Sequence, residues 1–246
     1  MPDASSSSDD MRSWRYFARR LPVRLLTYWP LKLTLGVALG TLFTAAYLLI
    51  GHYPLLPVHV LPFTWFDRVT GFHPIPWVWV YQSVYLPMNL IPWLSERREE
   101  LRRYVRGFII LSIVSFTVFI LVPTRAPKPS VSDPQGMYWL LQLYDAPNNA
   151  LPSLHIGLLV YTFAFGRRVL AGEMPRGTSV ICLVWGLLIA YSTLATKEHY
   201  FVDLPAGAAL GIAAHWFAWR QPRAVMRDQT APRRSRSAVE PLPARY

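Results

Sequence analysis

Two short stretches of the chain carry side chains that could do chemistry together. In Pro152-Ser153-Leu154-His155, the proline suits the first turn of a helix, where its missing N–H is not needed. The backbone N–H groups that follow would be unpaired. A helix N-terminus of that kind binds phosphate through free donors and the positive end of its dipole. Ser153 adds a hydroxyl and His155 a titratable proton. In the second stretch His199 and Asp203 stand four residues apart, which puts them on one helical face. An aspartate that accepts from one imidazole nitrogen fixes the tautomer and leaves the other nitrogen as an oriented base or nucleophile. Pro205 favours a helix beginning within a turn of it, so the pair is expected to meet across a turn. Each stretch also has a plainer reading. The first would be a capped helix start with a histidine satisfied by water, the second an interfacial histidine beside a helix-capping aspartate.

Arg125 and Lys128 precede the first stretch, and Lys197 lies two residues before His199. These cations are candidates to neutralise a bound phosphate, or else they contact lipid phosphates at an interface. His52, His59 and His73 have no acidic partner at useful spacing. His215 follows Asp203 by 12 residues, about 18 Å along a helix, and so falls outside any site built on the other two histidines.

The elements that must position these residues are apolar. Of 246 residues, 52% are hydrophobic and 16% charged, and the mean hydropathy is +0.22. This excludes a disordered chain and argues against an ordinary soluble enzyme, which carries about 25% charge. The single cysteine, Cys182, excludes an intrachain disulfide framework and a Cys-based zinc module. Six stretches approach the roughly 20 apolar residues that a membrane-crossing helix needs: 31–50, 75–93, 107–123, 151–170, 178–196 and 202–219. The expected fold is therefore an all-α integral membrane protein, a bundle of six transmembrane helices over 31–219. Pro87 should kink the second span. Gly36/Gly40 and Gly207/Gly211 are small-residue pairs whose expected role is close helix packing.

Residues 1–30 read as a cytoplasmic segment rather than a cleaved signal peptide. Residues 220–246 read as a disordered basic cytoplasmic tail drawn to anionic lipid. The formal charge of +11 would suggest nucleic acid in a soluble protein. Its placement points elsewhere. With both termini inside, the inside segments 1–32, 94–106, 166–177 and 220–246 hold 6, 5, 3 and 7 of the 25 Lys and Arg, leaving only Arg68, Arg125, Lys128 and Lys197 outside. That asymmetry is the positive-inside pattern, and no nucleic-acid partner is expected. His155, His199 and Asp203 then fall on the same outer side as those cations. The outer segments 51–74 and 137–144 have interfacial character. A short-looped design without a targeting signal leads us to expect a bacterial inner (plasma) membrane.

These residues form a pattern that resembles the type 2 phosphatidic acid phosphatase (PAP2) superfamily of membrane lipid phosphatases and phosphotransferases, whose motifs are K-x6-R-P, P-S-G-H and S-R-x5-H-x3-D. Residues 152–155 match the second motif with Leu154 in place of glycine. Ser192-Thr193, then His199 and Asp203, match the third with Thr193 in place of arginine. The first motif is not intact around Arg125, which leaves Arg125 and Lys197 as candidates to replace its cations. The resemblance covers about 105–215 and looks closest to the inositol phosphorylceramide synthase-like branch, whose members transfer a phosphorylated head group between lipids. It implies that His199 attacks phosphorus, that Asp203 orients it, and that His155 protonates the leaving alkoxide. Ser153, Arg125, Lys197 and Lys128 would bind the phosphate. It implies a phospholipid or sphingolipid-like substrate, a phosphohistidine intermediate, and neither metal nor cofactor. Two other classes remain open at this stage. One is a metal-dependent membrane hydrolase using His155, His199 and Asp203 as ligands. The other is a non-catalytic transporter or scaffold with the same fold.

Overall fold

The computed structural model describes residues 11–129, 131, 136–144 and 146–220. The basic tail from 221 onward and residues 1–10 lie outside the described residues. Helix dominates. No β-strand occurs among the described residues, only two isolated bridge pairs, His59 with Thr124 and Thr124 with Asn149. In chain order the helices are α1 (Trp14–Leu26), α2 (Trp29–His52), α3 (Trp65–Thr70), α4 (Pro74–Gln82), α5 (Tyr85–Leu90), α6 (Arg98–Leu121), α7 (Gly136–Tyr144), α8 (Leu154–Val169), α9 (Thr178–Ala195) and α10 (Asp203–Trp219), with a 3-10 turn over Ile91–Leu94.

Three of these, α2, α6 and α9, are long and apolar enough to cross a membrane. Their outward faces fit that role. Val180, Ile181, Leu183, Val184 and Leu187 of α9 are all exposed, as are Val37, Leu42 and Leu49 of α2. Apolar surface of this extent is a liability in water and the natural surface in lipid. The expected count of six does not emerge as six long helices. Helices α8 and α10 have 16 and 17 residues, about 24–26 Å against a hydrocarbon core of about 30 Å. The expected second span is not one helix but three short pieces. Pro87 has no N–H to give Ser83, and Leu86 bonds that carbonyl instead at 3.1 Å, so the helix breaks one turn before the proline.

Helix α8 is the centre of the bundle. One side of it packs with Leu111 and Phe119 of α6 and Ala214 of α10, the other with Ile189 of α9 and Val84. Its contact with α10 is close enough to exclude side chains. A Cβ on Gly207 would collide with the Ser153 carbonyl, and one on Gly211 with that of Gly157. The Gly207/Gly211 pair therefore does what such pairs are expected to do. The Gly36/Gly40 pair does not, because a Cβ at either meets nothing within 4 Å.

The two ends of the bundle differ in chemistry. At one end Arg24 pairs with Glu96 and Glu173, Arg20 pairs with Glu96, and Lys32 donates to the carbonyls of Arg24 and Trp93. These contacts join 1–32, 94–106 and 166–177, the segments assigned to the inside from charge. At the other end three loops form a backbone lattice. His59 N–H donates to Pro123, Arg125 N–H to His59, and Ala150 N–H to Thr124. Asn148 and Asn149 donate to the carbonyls of Gly51 and Tyr47 and fasten this lattice to the end of α2.

Candidate active site

The lattice end carries the two histidines. Helix α8 begins at Leu154, not at Pro152 as expected. Ser153 is its N-cap, and the Ser153 side chain accepts from the Ile156 N–H. Pro152 therefore precedes the helix, and His155 sits in its first turn. Ser153 is fully buried, and its N–H donates to the Asp203 carbonyl at 3.1 Å, which ties the starts of α8 and α10 together. Helix α10 begins at Asp203, so His199 lies in the turn before it. The two side chains meet across that turn, with His199 Nδ1 3.3 Å from Asp203 Oδ2.

The hydrogen bonds form one directed chain. His199 Nδ1 is 2.9 Å from the Ala150 carbonyl as well as 3.3 Å from the carboxylate. Both partners are acceptors, so Nδ1 carries the proton and Nε2 carries the lone pair. That Nε2 stands 3.4 Å from His155 Nδ1, which in the neutral ring donates to it. His155 Nε2 is then an acceptor for the Tyr85 hydroxyl at 3.2 Å, and the Tyr81 hydroxyl stands within reach of both ring nitrogens, 3.1 Å from Nδ1 and 3.0 Å from Nε2. Asp203 Oδ2 also accepts from the Tyr200 N–H at 2.8 Å, which orients the carboxylate independently of the histidine. All three residues are buried, Asp203 completely. In so dry a setting an oriented imidazole lone pair is worth more than in water.

The structure brings His155, His199, Asp203 and Ser153 together. It does not aim all three cations at them. Lys128 pairs with Glu198. The Lys197 ammonium donates to the Asp67 carbonyl and lies over the Phe63 ring. Burial pushes the Lys197 amine below the ordinary lysine value, with Asp67 opposing that shift. Its backbone is left-handed, with φ 58°, a conformation that costs a non-glycine residue about 1–2 kcal/mol. The Glu198 and His199 N–H groups, both bonded to the Thr193 carbonyl, help hold it there. Arg125 is different. It is exposed, its Nε reaches Asn148 Oδ1 at 3.4 Å, and among the described residues it makes no ion pair.

Three partners were missed in the sequence. Tyr81 and Tyr85 are spaced i, i+4 in the proline-broken segment, a spacing that signals one shared face. The Ala150 carbonyl leaves no sequence signal, because every residue has one. The turn carrying His199 is clamped by α3. Asp67 is buried, and its carboxylate accepts from the Phe201 N–H at 2.7 Å and from Thr64 N–H and Oγ1 at 2.8 and 2.7 Å. Phe66 stacks on Phe201 at 4.2 Å. Among the described residues, no group of three or more His, Cys, Asp or Glu is disposed to hold a metal ion. His199 presents one nitrogen to Asp203 and the other to His155, so the three do not converge on a point.

A model of the PAP2 superfamily matches residues 55–217, about two thirds of the chain, and the chain belongs to that superfamily. Members are generally phosphatases, and the family carries with it a phosphorylated lipid as the class of substrate. Nothing found assigns the chain to the inositol phosphorylceramide synthase-like branch. Comparison with curated proteins and with solved structures returned no match. The matched region begins after α2, so that helix lies outside it.

Proposed function

We propose that the chain is a membrane-embedded lipid phosphatase or lipid head-group phosphotransferase working through a phosphohistidine. The observation that carries this reading is the orientation of His199, with Nδ1–H held by the Ala150 carbonyl and Asp203 and Nε2 facing His155 at 3.4 Å. His199 Nε2 attacks phosphorus, the P–O bond to the lipid breaks, and His155, entering this step as the imidazolium, gives one proton to the departing alkoxide and is left as the neutral ring. In the second step water or a lipid hydroxyl attacks the phosphohistidine and its proton passes to His155. Asp203 stabilises the imidazolium character that develops on His199. Backbone donors at the start of α8, Ser153 and Arg125 stabilise the phosphoryl oxygens, whereas Lys128 and Lys197 act through the loops they fasten.

The 3.4 Å separation belongs to the resting site. In-line attack puts the leaving oxygen on the far side of phosphorus from Nε2. An incoming phosphoryl group therefore displaces the His155 ring from His199 and meets it on the opposite face. The Tyr81 and Tyr85 hydroxyls keep that ring bonded while it moves.

Within this reading six segments cross the membrane, both termini are inside and the site faces outside. In support of six crossings, the broken segment joins both ends of the bundle. Its first residues bond near the site, His73 N–H to Ala195, and its last carbonyl, Leu94, accepts from Arg24 at the opposite end. An inner membrane of a bacterium is the location we assign.

The test is turnover of a phospholipid panel by the purified protein, with and without a lipid acceptor and a chelator. Wild type should release phosphate or form a new phospholipid in the presence of chelator. His199→Ala should do neither, and His155→Ala should lose about 10²–10⁴-fold. An acid-labile phosphoenzyme should form in wild type alone. Chelator-sensitive turnover, or turnover unchanged in His199→Ala, would overturn the mechanism. The ratio of the two products separates hydrolysis from transfer.

A further inference from the structure

His155 also borders a space that His199 does not line. An open cavity of about 390 Å³ is lined by Phe43, Thr44, Tyr47 and Leu48 of α2, Tyr85 and Met88 of α5, and Leu154, His155 and Leu158 of α8. A further cavity of about 240 Å³ continues from it down α2, sharing Phe43, Thr44, Tyr85, Met88 and Leu158. It passes Gly40 and Gly36 and ends where Lys32 and Trp93 close it. From Tyr47 to Lys32 the run is about 22 Å at the rise of an α-helix, longer than one leaflet's half of a core of about 30 Å. The α2 residues facing it recur every three to four positions, which is one helical face. Two glycines in this face leave room that no protein atom fills, in a chain whose other small pair is interlocked with its neighbour.

We propose that this trough binds the hydrocarbon chain of the lipid whose phosphate meets His199, and that Gly36 and Gly40 set how long a chain it accepts. The proposal rests on the catalytic reading above and adds to it where the lipid's hydrocarbon chain lies and what limits its length. The occupant follows from continuity. The trough starts at His155, its walls are mainly aliphatic and aromatic, and its only charged group beyond His155 is the Lys32 ammonium, which is already bonded to two carbonyls at the far end. Thr44, Tyr85, Asn89 and Tyr104 are its few uncharged polar side chains; the rest is apolar, where a polar ligand is costly to bury and a hydrocarbon chain gains with each methylene buried. The α2 wall that carries both glycines lies outside the region matched to the superfamily, and the α5, α6 and α8 walls lie inside it.

The experiment measures binding of alkyl phosphonates, which are not hydrolysed, to the full chain in lipid nanodiscs. The chains are octyl, dodecyl and octadecyl. Wild type should prefer octadecyl to octyl. Gly40→Phe, placed partway down the trough, should weaken octadecyl and dodecyl binding at least about tenfold, the equivalent of roughly two buried methylenes, and leave octyl binding unchanged. Gly36→Phe, placed deeper, should lose octadecyl but keep dodecyl. Gly40→Ala should change nothing, and unfolding midpoints no lower than wild type should accompany all three variants. Equal affinities of wild type for the three chains, or a Gly40→Phe loss shared by all of them, would overturn the trough whatever the turnover shows. Wild type that binds with the expected chain preference but turns over no phosphate ester would overturn the catalytic reading and leave the trough standing.

Discussion

His199 is held by two acceptors of unequal kind, and this sets what its aspartate contributes. In a Ser-His-Asp triad, Asp→Asn costs about 10⁴-fold because the imidazole adopts the wrong tautomer. Here the Ala150 carbonyl, at 2.9 Å, is closer to Nδ1 than the carboxylate at 3.3 Å. It keeps the proton on Nδ1 when the carboxylate is gone. Asp203→Asn can still accept from the Tyr200 N–H through its amide oxygen, so it removes charge and little else. Its kcat should fall by about ten- to a hundredfold, a few kcal/mol at most, with KM nearly unchanged. A loss approaching that of His199→Ala would mean that the carboxylate, not the carbonyl, fixes the tautomer. At this scale His155, His199 and Asp203 were legible because side-chain type and four-residue spacing are written in the sequence. The Ala150 carbonyl was not legible, since it acts through backbone that three separate loops bring into place. Tyr81 and Tyr85 were hidden differently. Aromatics in an apolar span read as an interfacial belt, and only the path of the broken helix turns their hydroxyls onto His155.

The turn from Thr196 to Val202 carries His199 and is held by an element that the sequence reading passed over. Helix α3 has six residues and opens with a capping box, the Thr64 side chain accepting from Asp67 N–H while the Asp67 carboxylate accepts from Thr64 N–H. The Thr-x-x-Asp pattern was in the sequence, but the segment around it is apolar and proline-broken, which concealed a polar helix start. Asp67 fastens the turn through Phe201 N–H, and its own carbonyl receives the Lys197 ammonium. Burial lowers the pKa of that ammonium, and linkage then gives a sign. Between the lowered folded value and 10.5 the unfolded chain binds more protons than the native protein, so stability rises with pH across that window. Below it, holding the charge in place costs stability. Lys197→Met, which keeps the length and removes the charge, should abolish this rise. The check is the difference between wild-type and variant unfolding midpoints from neutral pH to 10.5, which should shift in favour of wild type as pH increases. A constant difference would mean that the ammonium is solvated and the tether is not what holds the turn. The second expected span shows the same limit from another side. Pro87 was read correctly as a disruption, but its effect falls on the carbonyl one turn earlier, and the result is separate pieces rather than a kinked rod.

For the whole molecule, the two glycine pairs show why a motif does not determine packing. Gly207 and Gly211 let α8 and α10 touch backbone to backbone, whereas Gly36 and Gly40 face open space. The spacing is identical, and the difference lies in whether a neighbour covers that face. Topology has the same character. Charge asymmetry gave an inside and an outside, and the ion pairs of Arg20 and Arg24 with Glu96 and Glu173 gather the assigned inside segments at one end. Crossing by the broken segment is the step on which the six-span reading depends, because it alone moves the chain from the end of α2 to the start of α6. His52 closes α2, and Arg102 lies in the first turns of α6. Both are exposed, so each can carry a reporter. In a Cys182→Ala background, His52→Cys and Arg102→Cys should respond oppositely to an impermeant thiol reagent applied to intact cells. His52→Cys should label at once, and Arg102→Cys only after the membrane is permeabilised. Labelling of both from outside would mean that the pieces from Pro74 to Leu94 return to the surface they left. The six-span reading would then fail, while the histidine pair, fastened to the end of α2 through Asn148 and Asn149, would still lie on the side of His52.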